Sequence, residues 1–360
     1  MTSPTINHNR TALVVGASGI AGSAIVEQLD RSGGWTVLAL SRNPVEGSPA
    51  RHISADLLSA DSLTLALSDE KPTHVFFTAW ARQDSEQENI AVNTAMLRNL
   101  LSALNGAPVQ HVALMTGLKH YLGPFESYGA GPVPDTPFRE EEPRLPAPNF
   151  YYTQEDELWA SAERQGFRWS VHRSHTVIGH AVGNAMNMGL TLAAQATLCR
   201  ELGKAFVFPG SETQWNSLTD MTDGELLAEH MLWAATTENA GNQAYNVVNG
   251  DVFRWRWMWP KLAAYFGVIA EGYEGSPRPL EEQMHGMSQE WGKIAATHGL
   301  AEADLSRVAS WWHTDADLGR NMEVLADMSK SRLAGFTGYR RTEDSFRRLF
   351  DRYRAEKIIP

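Results

Sequence analysis

A chain of 360 residues with 43% apolar side chains can bury two cores, or one large α/β core with an elaborated C-terminal half. Its 31 basic and 42 acidic residues give a net charge of −11, which argues against nucleic acid and against an anionic membrane surface as partners. A single cysteine, Cys199, excludes an internal disulfide and fits a reducing cytoplasm, while the polar first ten residues and the lack of an 18-residue apolar run speak against a signal peptide or a membrane span.

In chain order, Thr11–Val15 is an apolar, β-branched run that leads directly into Gly16-Ala-Ser18-Gly19-Ile20-Ala-Gly22 and then into a helical stretch, 21–30. Strand, glycine turn and helix in that order form a dinucleotide phosphate site. Glycine permits φ > 0 and close approach of a pyrophosphate to the backbone. The helix start offers free N–H groups and the positive end of the dipole. Further strand-like runs at 36–40, 74–78, 109–115 and 169–172 alternate with amphipathic segments at 59–67, 90–104 and 155–165. This alternation predicts βαβ units and an α/β, Rossmann-like, doubly wound parallel sheet.

After about residue 180 the pattern becomes richer in Gly, Pro and Trp, and ten of the twelve tryptophans lie beyond position 150. Thr222-Asp-Gly-Glu225 reads as a capping box opening a helix to Ala235, and 243–248 reads as one more strand that rejoins the sheet. The expected division is a nucleotide-binding domain over 1–180, rejoined by about 215–250, and a smaller, mostly helical substrate-binding region over 181–360. The proline- and acid-rich stretch 123–148 reads as a pocket wall or lid.

The run Leu38–Arg42 ends without the acidic residue that would bind the ribose 2′-OH of NAD. Ser41 and Arg42 instead suit the 2′-phosphate of NADP, although Arg42 also reads as a plain surface charge. Asp56 and Leu57 end the third strand region, where Asp56 serves either adenine or a turn. A standard short-chain reductase carries Tyr-x-x-x-Lys on one helix. Here Glu155 follows Tyr151 and Asp156 follows Tyr152 at that spacing, so a cation must come from elsewhere or the chemistry is lost. Met115-Thr116-Gly117-Leu118-Lys119 at the end of the fifth strand offers one.

The blocks 116–128 and 149–156, with Trp80-Ala, 86–89, 169–173 and 246–253, resemble the progesterone 5β-reductase / iridoid synthase family of atypical extended short-chain dehydrogenase/reductases. The resemblance runs to Ile358-Ile-Pro360. It implies NADPH-dependent 1,4-reduction of an enone, with Tyr151 and Lys119 catalytic. It also implies a cofactor pocket that adds Ala79, Thr116, Gly117 and Val177 to the glycine-turn residues, and a substrate pocket with Trp80, Phe125 and His313. A phenol aimed at the carbonyl oxygen would stabilise the developing enolate, and a nearby ammonium would lower the phenol pKa.

Three positions depart from the family pattern: Ser174-His175-Thr176 stands for Pro-Gly-Asn, Asn43 for a second arginine, and His313 for an aromatic wall. No metal spacing occurs among the twelve histidines. Partners are expected to be limited to a small-molecule enone, with the chain acting as a monomer or homodimer. Alternatives are an epimerase or carbonyl reductase of the extended type, or a non-catalytic NADP-sensing regulator.

Overall fold

The computed structural model describes residues 10–45, 47–124 and 134–360. Seven strands form the main sheet: β1 (Arg10–Val15), β2 (Trp35–Ser41), β3 (Arg51–Ser54), β4 (His74–Phe77), β5 (His111–Gly117), β6 (Arg168–Ser174) and β7 (Gln243–Val247). The order across the sheet is β7-β6-β5-β4-β1-β2-β3, with every pairing parallel. Such a sheet must be covered on both faces, and the central strands show it: Leu13, Val14 and Val15 are all fully buried.

The helices up to residue 236 are α1 (Ile20–Ser32), α2 (Ala60–Leu67), α3 (Glu86–Ala103), a short α4 (Lys119–Leu122), α5 (Phe150–Gln165), α6 (Met188–Glu201) and α7 (Gly224–Thr236), besides a five-residue helix at Glu212–Asn216. In α1, Ile20, Ala21, Ala24, Ile25 and Leu29 recur at helical spacing and are buried; the helix stops at Gly33, φ 65°. α1 and α7 cover one face of the sheet, whereas α2, α3 and α5 cover the other. A third core lies in the C-terminal region, built on α6 with α8 (Trp255–Phe266), α9 (Trp311–Leu318) and α10 (Thr342–Ala355). Trp255, Trp259 and Trp291 are buried in that core.

Chain order reverses between β1 and β4, so their connections diverge and leave a crevice at the carboxyl ends. The two turns nearly touch beneath it. A Cβ on Gly16, φ +84°, would lie 2.9 Å from the Ala79 backbone nitrogen.

Several local expectations shift. The cap of α7 is Asp223, whose carboxylate accepts from the Glu225 and Leu226 N–H groups, in place of Thr222. Thr222 is claimed by the sheet instead: its hydroxyl donates to the Val247 carbonyl at 2.7 Å and accepts the His175 N–H at 3.0 Å. α3 starts at Glu86, four residues earlier than the apolar pattern indicated, because Ser85 accepts the Glu88 N–H. β5 and β6 run to Gly117 and Ser174, two residues beyond their apolar runs, since parallel pairing with each other carries them on.

Candidate active site

Two adjoining cavities occupy the crevice: a groove of about 560 Å3 and an inner chamber of about 180 Å3, which share Gly19, Thr78, Ala79, Trp80, Asn184 and Met186 on their walls. The groove runs from the glycine turn past Ser41, Arg42, Asp56 and Leu57, and the chamber is lined by Thr116, Gly117, Lys119, Tyr151, Val177 and His313. Gly16, Ser18, Gly19, Ile20, Ala79 and Trp80 lie on one wall or the other. Phe125 lies outside the described residues.

Gly22 is absent from both walls. A Cβ there would stand 2.1 Å from the Gly16 carbonyl oxygen, so this glycine lets α1 press against its own entry turn. Gly19 precedes α1 without a side-chain cap, and the first turn of α1 holds no acidic residue. The helix start is therefore left open to an anion. Arg42 and Arg82 add positive charge along the groove, and Arg82 stacks on Trp312 at 3.8 Å. Ser41 donates to the Asn43 carbonyl at 2.7 Å, and Asp56 accepts the Leu58 N–H at 2.9 Å while it lines the groove. Uncapped N–H groups, a glycine cradle that a Cβ would fill, and flanking guanidinium groups fit a dinucleotide carrying phosphates.

At the inner end, Asn149 ties the two sequence-predicted catalytic residues together. Its Oδ1 accepts the Tyr151 N–H at 3.0 Å as the cap of α5, and its Nδ2 donates to the Lys119 carbonyl at 2.7 Å. Lys119 opens α4 just past β5, and its ammonium lies 5.1 Å from the Phe150 ring and 5.7 Å from the Trp80 ring. These rings stack on each other at 5.8 Å. The Tyr151 hydroxyl sits over Gly117, where an added Cβ would come within 3.3 Å of it. It donates to no protein acceptor among the described residues.

Burial, followed by the Glu86 carboxylate, raises the Tyr151 pKa, so in the protein alone the direction is opposite to the expected lowering. Tyr152 differs in kind: its hydroxyl donates to the His120 carbonyl at 2.5 Å and accepts the Leu145 N–H at 3.0 Å. Glu155, at the position of the usual lysine, is fully buried against Arg144 at 2.8 Å and Arg173 at 3.3 Å. Burial alone would raise its pKa, but His120 and the two guanidinium groups hold it below the usual range.

Sequence reasoning missed the rest of the chamber wall. His175 and Thr176, noted only as departures, meet His313, Asp317 and Arg320 across it. Burial would raise the Asp317 pKa, yet Arg320, His313 and the Thr176 hydroxyl keep it lowered. Burial lowers that of His313, outweighing Asp317. The departures at 174–176 and at His313 were the signs of this cluster in the sequence.

The PRISE-like Rossmann-fold domain model matches residues 12–360. The (S)-8-oxocitronellyl enol synthase of Nepeta cataria is 39% identical, covering 98% of this chain and 94% of that protein. The 3-oxo-Δ4,5-steroid 5β-reductase of Arabidopsis thaliana is 38% identical, over 99% and 95%. Among solved structures, a Thermus thermophilus UDP-glucose 4-epimerase in complex with NAD superposes with a TM-score of 0.66 at 19% identity, covering 96% of this chain and 99% of that one, a likeness of fold. With its glycine-turn groove, its Tyr151 and Lys119 in one chamber and relatives matched end to end, the chain belongs to the PRISE-like Rossmann-fold family.

Proposed function

We propose that this protein is an NADPH-dependent oxidoreductase that reduces the activated C=C bond of small enones and enals by 1,4-addition. One observation carries the reading. The Tyr151 hydroxyl, without a protein acceptor among the described residues, shares a small chamber with the buried Lys119 ammonium, and that chamber opens onto the dinucleotide groove. The named relatives, an enol synthase and a steroid 5β-reductase, support it.

When bound in the groove, a reduced nicotinamide would supply the hydride taken up at the β-carbon of the substrate, and solvent water the proton taken up at its α-carbon. Negative charge then builds on the substrate's carbonyl oxygen. Tyr151 donates its O–H to that oxygen, and its raised pKa keeps the proton in place at neutral pH. Lys119 adds a positive field, strengthened because Trp80 and Phe150 keep water from its flanks. Asn149 holds both backbones in register. The groove end with Ser41 and Arg42 takes the 2′-phosphate, and Asp56 the adenine. The sheet, including α7 and β7, carries the cofactor, while the remainder of the C-terminal region covers the substrate. Glu155, locked to two arginines, cannot serve as the general base or the lysine of an epimerase.

Incubation with 2-cyclohexenone and NADPH, with the product identified by mass and NMR, tests the reading. Cyclohexanone is expected; the allylic alcohol as main product refutes it.

A further inference from the structure

Lys119 reaches the chamber from α4, a helix of four residues. A single turn cannot hold its own orientation and must be held by its surroundings. Two of its carbonyls are held from α5: Asn149 Nδ2 donates to that of Lys119 at 2.7 Å, and the Tyr152 hydroxyl to that of His120 at 2.5 Å. Peptide dipoles lie along the helix axis, so these bonds set the position of α4 along its axis. They do little to stop it from rolling about that axis, and roll decides where the Lys119 side chain points.

Residues two apart on a helix project about 200° from each other, so Tyr121 leaves α4 on the side opposite Lys119. There its hydroxyl donates to Asn246 Oδ1 at 2.8 Å and accepts from Arg173 Nη1 at 3.1 Å. Its ring stacks on Phe138, with centroids 4.9 Å apart. Asn246 belongs to β7 and Arg173 to β6, so the phenol is fastened to two neighbouring strands of the sheet. Both partners are themselves tied: Asn246 Nδ2 donates to the Phe138 carbonyl at 3.0 Å, and Arg173 Nη2 to Glu155 at 3.3 Å. Tyr121, Arg173, Asn246 and Glu155 are all buried, where hydrogen bonds involving charged groups are strong and broken ones costly. Burial pushes the Tyr121 pKa up to about 12, against the pull of Arg173, so the proton given to Asn246 stays in place.

We infer that Tyr121, braced by Arg173 and Asn246, is a positioning residue that fixes the roll of α4 and so aims the Lys119 ammonium into the chamber. Glu155, at the place of the usual lysine, serves by holding Arg173 against the phenol. With the roll fixed, the ammonium stays 5.1 Å from the Phe150 ring and 5.7 Å from the Trp80 ring. The catalytic part of this inference rests on the enone-reductase reading of the chamber.

The test is a double-mutant cycle of the parent protein, Tyr121→Phe, Lys119→Met and the double variant, assayed with 2-cyclohexenone and NADPH. Tyr121→Phe should lower kcat about tenfold and leave KM for NADPH unchanged. In the Lys119→Met background the same change should alter kcat less than about twofold, because the group it positions is gone. Equal fold losses in both backgrounds, or an unaltered kcat in Tyr121→Phe, overturn the positioning role while leaving the enone reading intact. If Tyr121→Phe does not fold, Arg173→Lys, which keeps the charge beside Glu155 but loses the fork to Tyr121, takes its place in the cycle with the same outcomes. If the parent protein turns over no enone, the reductase reading fails instead, and a measurement without turnover decides. With lysine labelled with 13C at Cε, the Lys119 signal is identified by its loss in Lys119→Met. Ring currents of Trp80 and Phe150 should displace it in the parent protein, and in Tyr121→Phe it should move towards the signals of exposed lysines. An identical Lys119 signal in the two proteins overturns the inference.

Discussion

Replacing Tyr151 and Tyr152 by phenylalanine should have opposite signatures, although the residues are neighbours on α5. The Tyr151 hydroxyl faces the chamber and serves no protein acceptor among the described residues, so its loss orphans nothing and should leave Tm unchanged. It removes one oxyanion donor, worth about 10–1000-fold in kcat depending on how far the enone is already activated. NADPH affinity should hold, because the ring against Phe150 at 4.2 Å remains. Tyr152→Phe strips the buried His120 carbonyl of its 2.5 Å donor and the Leu145 N–H of its 3.0 Å acceptor. Leaving such groups unsatisfied costs about 1–3 kcal/mol, or a fall of roughly 2–4 °C in Tm per kcal/mol, with kcat largely kept. Steady-state kinetics on 2-cyclohexenone and thermal melts of both variants decide it. An active Tyr151→Phe beside an inactive but stable Tyr152→Phe would refute the assignment of roles.

NADPH should be preferred over NADH by kcat/KM, and Arg42→Ala should reduce that preference about tenfold; equal values for the two cofactors in the parent protein would sink the 2′-phosphate assignment. Gly22→Ala drives a Cβ to 2.1 Å from the Gly16 carbonyl and should abolish NADPH binding, read by fluorescence titration. Gly292→Ala, where an added Cβ meets nothing within 4 Å inside a helix, should instead stabilise by about 0.5–1 kcal/mol in urea melts. Acid should also destabilise the protein. Burial holds the folded pKa of His74 at about 4 and that of His230 at about 3, below the unfolded value of 6.5. The unfolded chain thus binds more protons between those limits. Stability is full above pH 6.5 and is lost as pH falls, by about 1.4 kcal/mol per pH unit for each such histidine. Urea midpoints unchanged from pH 7 to pH 5 would contradict this.

The glycine turn could be read from the chain because everything it needs is contiguous: an apolar strand, glycines at fixed spacing and a helix start. The same holds for the sheet, since short apolar runs alternating with segments of period 3.6 leave few topologies once crossovers are short and right-handed. Lys119 could be read as a cation at the end of the fifth strand, but its pairing with Tyr151 and not Tyr152 came only through the resemblance, for no local period links a residue after β5 to one at the start of α5. What joins them is the Asn149 side chain, bonded to both backbones. Gly22 could be placed in the turn by its spacing, but only the folded chain shows that a Cβ there would stand 2.1 Å from the Gly16 carbonyl oxygen. Thr222 had the sequence of a cap, but a neighbouring strand and His175 compete for its hydroxyl. His175, Thr176 and His313 stood out in the sequence as departures, but their assembly into a polar wall did not: Arg320 meets His175 across a separation of 145 residues. Contacts at that range carry no period and no spacing, because they arise from how the third core seats α9 over the carboxyl ends of the sheet, and only the folded chain sets that.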